Sequence, residues 1–223
     1  MFLLLSVILG ILLQQTSGAS YTCNRKESTC GCSHRPVITA KITGGELATS
    51  HSWSWLVSLR FRDKHFCGGT ILNEWFIITA AHCFVEIESA VSKVTVCAGI
   101  DYLSDICSQN FTLANITYHH EFQYRMMLND IALLRLSTPL NFTDPFIARI
   151  CLPDAMHSFD YPETGTSVII AGWGSTEMNG TATNELQQAT LKVIGNSARM
   201  CASNILNSRQ QVCAYAPEKG MNS

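Results

Sequence analysis

Hydrophobic and polar positions alternate along this chain in short runs, and the period is two rather than 3.6. After Trp55, the residues Val57, Leu59 and Phe61 fall on one face while Ser58, Arg60 and Arg62 fall on the other, the pattern of a half-buried strand. Thr70 to Leu72 and Trp75 to Thr79, rich in β-branched and aromatic residues, flank the polar pair Asn73 and Glu74 and predict a tight antiparallel hairpin. Lys93 to Ala98, Asn110 to Tyr118 and Ile131 to Leu136 predict further strands, separated by turn-rich segments, and no long helical period appears between them. These runs predict an all-β barrel. A Pro-containing connection from Pro139 to Pro162 leads to a second set, Ser167 to Gly172 and Leu186 to Ile194, so the chain divides near residue 155.

Composition adds an address. The 223 residues are 47% hydrophobic and 14% charged, which suits a folded globular protein. A net charge of -2 supplies neither the basic stripe of a nucleic-acid partner nor a polybasic membrane patch. Phe2 to Leu13 is apolar but shorter than the ~20 residues that span a bilayer. With small residues at Ser17 and Ala19, residues 1–19 read as a signal peptide cut before Ser20, its positive charge coming from the amino terminus alone. The expectation is a secreted, extracellular chain with no membrane anchor. Residues 20–41 hold Cys23, Cys30 and Cys32 with too little apolar material to fold alone, and read as a propeptide.

Ten cysteines point to disulfides formed outside the cytosol, and none lies in a zinc-like CxxC pair. Asn110, Asn115, Asn141 and Asn179 each open a glycosylation sequon. Cys67 and Cys83 bracket the hairpin, and His82 follows its second strand directly. One disulfide there would fix the turn that carries a ring able to move protons.

CGG, the hairpin and TAAHC around His82, together with NDIALLRL around Asp130, resemble the chymotrypsin and trypsin family of serine peptidases. Cys151-Leu152-Pro153, the run AGWGST from Ala171 to Thr176, and Cys201 and Cys213 extend the resemblance through the chain. It implies two antiparallel β-barrels, residues 42–155 forming the first and 156–223 an incomplete second. It implies hydrolysis of a polypeptide substrate, with His82 as general base and a buried Asp130 carboxylate selecting its tautomer. KITGG implies activation by a trypsin-like protease that cuts after Lys41, freeing the Ile42 ammonium to pair with a carboxylate. Cys67 would pair with Cys83, Cys201 with Cys213, and Cys151 with either Cys30 or Cys32, the other of which would reach Cys23. Cys97 and Cys107 have no counterpart in the commonest family pattern and most simply bridge each other. Trp173 reads as a structural ring over the barrel junction, and His51, His65, His119, His120 and His157 as packing or surface residues. Some family members hold calcium through paired glutamates, but Ile100 and Ser108 to Asn110 offer none, so no metal and no cofactor is expected.

The family's nucleophile lies in GDSGG, and that string does not occur in these residues. Ser203, Ser208 and Ser223 lack its neighbours. Since AYAPEKGMNS stays family-like to its last residue, the expectation is a chain that stops short of its nucleophile and is inactive by itself. An unfinished barrel would leave open sheet edges. The alternative is a noncatalytic secreted binding protein or pseudopeptidase. Asn222 falls at the base of the specificity pocket, where an uncharged amide favours uncharged substrate side chains over Lys or Arg.

Overall fold

A computed structural model describes residues 19–21, 23, 28–39, 45–153, 162–175, 182–195, 198–199, 201, 205–207 and 210–216. Three short strands come first, β1 (Ala19–Tyr21), β2 (Val37–Thr39) and β3 (Glu46–Leu47). Six longer ones follow: β4 (Leu56–Phe61), β5 (Lys64–Ile71), β6 (Phe76–Thr79), β7 (Val94–Ala98), β8 (Gln109–Tyr118) and β9 (Ala132–Leu136). The last three are β10 (Ser167–Gly172), β11 (Gln187–Ile194) and β12 (Cys213–Tyr215).

Strands β4 to β9 close into an antiparallel barrel in the order β4-β5-β6-β9-β8-β7, which leaves no edge within that ring. Its interior holds the residues that the alternation points inward: Val57, Leu59, Ile77, Val94, Val96 and Leu134 are fully buried. The predicted hairpin is there. Leu72 N–H donates to Phe76 O, and Asn73 Oδ1 accepts the N–H groups of Trp75 and Phe76, the local bonding that makes Asn a turn residue. Gly69 lets β5 pass close beneath β6, since a Cβ there would stand 2.8 Å from Ile77 Cγ2.

Ser58 departs from the alternation. Its place on the polar face of β4 predicts exposure, yet it is fully buried. The outer face of β4 is covered, not wet: Ser58 Oγ meets His65 Nδ1 at 2.9 Å, and the His65 ring lies edge-on to Trp173, with centroids 5.8 Å apart. Trp173 is itself buried and donates its indole N–H to Asp101 O over 2.9 Å, as a ring at the barrel junction should.

The second sheet runs β10-β11-β12, with β3 also paired to β11 through Gln187↔Leu47 and Gln188↔Glu46. It does not close among the described residues. The sequence division assigns residues 46 and 47 to the first barrel, whereas the structure pairs them into the second sheet; the division point near 155 lies outside the described residues. Strands β1 and β2 pair only with each other in the sheet register. The Cys30–Cys151 disulfide fastens this leader to the barrel side, together with the Gly31 N–H donated to Arg149 O at 2.7 Å and the Arg149 Nε–H donated to Thr29 O at 2.5 Å.

Candidate active site

The register of two strands sets the site. Thr79, the last residue of β6, pairs with Ala132, the first of β9, so whatever follows β6 lies beside whatever precedes β9. His82 is three residues past Thr79, and Asp130 is two before Ala132. After β6 the chain makes a single 3-10 turn, Ala81–Phe84. Fully buried Ala81 and Phe84 pin its underside, and Phe84 meets Phe66 edge-on at 5.7 Å. Cys83 is bonded to Cys67 on β5, and Thr79 Oγ1 donates to Gly68 O at 2.8 Å. The turn is therefore held from below and from one side, which leaves His82 to project from its exposed face.

On the other strand the backbone reverses just ahead of the carboxylate. Asn129 has φ 53, a left-handed conformation that Asn tolerates better than most residues, and Ile131 N–H donates to Asn129 O at 2.8 Å. Asn129 Nδ2 also donates to Glu121 O at 3.0 Å. This kink presents Asp130 to His82. Asp130 Oδ2 lies 2.7 Å from His82 Nδ1, and Oδ1 accepts the His82 backbone N–H at 2.8 Å. One carboxylate thus engages the backbone nitrogen and one ring nitrogen of the residue it orients, fixing the ring and its anchor together.

The Asp130 carboxylate is less enclosed than the sequence reading expects, because its side chain keeps 20% of its exposure and that of His82 43%. With Nδ1 engaged, Nε2 remains the nitrogen able to exchange a proton with a third group. Among the described residues, Cys67, His82 and Cys83 form the cluster of potential ligands close enough to share an ion. Both sulfurs are joined in the disulfide, so the cluster offers no thiolate.

The remaining cysteines pair as Cys23–Cys32, Cys30–Cys151, Cys97–Cys107 and Cys201–Cys213, so the bond to Cys151 comes from Cys30. Asn110, Asn115 and Asn141 are exposed. Lys41, Ile42, Asn179, Asn222 and His157 lie outside the described residues, as does the signal segment through residue 18. His51 stacks on Phe146 with centroids 3.9 Å apart, and His119 stacks on His120 at 4.8 Å. Burial, aided by the nearby Arg60 charge, lowers the His65 pKa below its ordinary value. Sequence reasoning missed Asn129 as a positioning residue, although its Asn-Asp pair carried a turn signal.

Comparison with known proteins identifies the family of the chain. A family model described as Trypsin matches residues 42–223. The chain is 33% identical over 172 residues to Transmembrane protease serine 11C of Mus musculus, a match that covers 76% of this chain and 38% of that protein. It spans well under half of that relative's length.

Proposed function

Because the chain belongs to the trypsin family of serine peptidases, we propose that it serves peptide-bond hydrolysis, with His82 as general base and Asp130 as the carboxylate that orients it. The observation that carries this reading is the pair of hydrogen bonds that Asp130 accepts from His82, one from the ring and one from the backbone. Held in that tautomer, His82 takes the proton of an attacking hydroxyl at Nε2 and returns it to the leaving amine, while Asp130 stabilises the intervening imidazolium. The string GDSGG is not among these 223 residues, so by themselves they contribute two of the three triad roles and do not turn over substrate.

Around that core we place a secreted zymogen. A trypsin-like protease cuts after Lys41, and the leader stays tethered, supported by the Cys30–Cys151 bond that joins it to the catalytic side. Residues 1–19 direct export, and glycans on Asn110, Asn115, Asn141 and Asn179 accompany it; the exposure of the first three supports this. Among the described residues no helix is long and apolar enough to cross a membrane. Asn222 gives a pocket suited to uncharged side chains.

An active-site fluorophosphonate decides the central point. The 223-residue chain should stay unlabelled, whereas protein translated from a transcript that continues into a GDSGG segment should label and cleave unfolded polypeptide, and its His82→Ala variant should do neither. Labelling of the 223 residues alone would overturn the assignment. Trypsin treatment followed by amino-terminal sequencing should yield Ile-Thr-Gly-Gly, with Lys41→Gln blocking the cut.

A further inference from the structure

Between the leader and the barrel lies a cavity of about 370 Å³, within the range of about 300–1,000 Å³ typical of small-molecule sites. Its apolar lining comes from three parts of the fold: Val37 of β2, Trp53 and Trp55 ahead of β4, and Ile169 of β10. Trp55 is 8% exposed and meets Trp53 edge-on, their ring centroids 5.7 Å apart. The Trp53 indole N–H is committed to Gln188 Oε1 at 2.8 Å, so that ring is held in place from behind.

The polar lining carries charge of one sign. Arg35 is exposed, and among the described residues neither does an acidic residue line the cavity nor does a carboxylate pair with its guanidinium. The walls are also fixed covalently. Cys23 in the lining is bonded to Cys32, and Gly31, also in the lining, follows Cys30, which is bonded to Cys151. Gly31 has φ +67, and a Cβ there would stand 3.0 Å from Cys151 Sγ, so glycine is what lets the backbone pass that bridge. A site whose walls are set beforehand spends little of a ligand's interaction energy on ordering them.

We propose that this cavity binds a small aromatic carboxylate, its ring against Trp53 and Trp55 and its carboxylate on Arg35. Perpendicular indoles offer one face and one edge, the arrangement in which aromatic rings attract a third ring. A guanidinium presents paired N–H donors that match a carboxylate, an interaction a neutral ligand of the same shape forgoes. Neither His82 nor Asp130 lines the cavity, and the proposal does not rest on the peptidase reading. The ligand would touch the leader, the barrel and the second sheet together, so its occupancy stabilises all three against separation.

The test is a calorimetric and thermal-shift titration of the disulfide-intact chain with 3-phenylpropionate and with its neutral analogue 3-phenylpropan-1-ol. The acid should bind at least about tenfold more tightly than the alcohol and raise Tm with concentration. Arg35→Gln, at an exposed position, should bring the acid down to the level of the alcohol. Ile169→Phe, which fills the cavity, should weaken both. Absence of saturable binding, equal binding of acid and alcohol, or acid binding unchanged in Arg35→Gln would each overturn the proposal.

Discussion

Asp130 accepts two hydrogen bonds from His82, and only one of them depends on its charge state. Asparagine at this position would keep an acceptor for the backbone N–H, but its amide would turn an N–H toward Nδ1 and select the tautomer in which Nε2 cannot take a proton. Asp130→Asn should therefore lower kcat of the peptidase carrying its nucleophile by about 10⁴-fold, the size of effect this substitution has in a Ser-His-Asp triad, with Tm nearly unchanged. Steady-state kinetics beside a melting curve checks both halves. His65 makes a different prediction. Its folded pKa lies below the ordinary 6.5 because burial, then Arg60, disfavours the charged ring, so the unfolded chain takes the proton first. Its contribution is fully present above 6.5 and declines as pH falls from there toward the folded pKa. Urea midpoints followed downward through that value should drop, and His65→Gln should flatten the drop. At this scale the sequence made His82 and Asp130 readable through their motifs. It hid Ser58 and His65, because alternation within one strand carries no information about a second layer over its polar face.

Strands long enough to show a period were visible from the alternation of apolar and polar positions. The six-residue β10 has the bounds its pattern predicts, and β7, β8, β9 and β11 differ from theirs by one residue at the start. A two-residue strand such as β3 has no period to read, and its pairing with β11 depends on a partner far along the chain. The hairpin shows what a local element contributes to chemistry. Cys67 on β5 and Cys83 on the following turn close a loop with a sequence separation of 16. Replacing both by alanine should destabilise the protein by about 3 kcal/mol in urea, through the freedom returned to the unfolded chain. It should also let the turn drift, so the slowly exchanging Nδ1 proton resonance expected of His82 would exchange faster with water in the double variant. An unaltered exchange rate would mean that Phe84 and Ala81 hold the turn without the bridge.

Three bodies meet at one side chain in the whole molecule. Gln188 of β11 is 2% exposed; its Nε2 donates to Ile38 O of the leader at 2.6 Å and to Glu46 Oε1 at 2.9 Å, and its Oε1 accepts the Trp53 indole N–H. In sequence it stands in QQATLK, where nothing separates it from an ordinary surface glutamine, because its partners lie 135 to 150 residues away. Gln188→Leu keeps the volume and removes the partner of the Trp53 indole N–H and of Ile38 O, so it should lower stability by roughly 2–3 kcal/mol, since each orphaned buried polar group costs about 1–3. Gln188→Glu keeps the Trp53 acceptor but sets a second carboxylate against Glu46 and Ile38 O, so it should cost no less than the leucine; denaturant melts of both variants give the comparison. The Cys30–Cys151 bridge has a consequence in time. Its two halves are 121 residues apart, so at ribosomal rates Cys30 waits on the order of ten seconds for its partner. The thiols nearest to it in sequence are Cys23 and Cys32, and their mutual bond, once formed, removes both from competition. If the Cys23–Cys32 ring closes first, Cys30 is the leader sulfur left over for Cys151 once the far side of the barrel has been made.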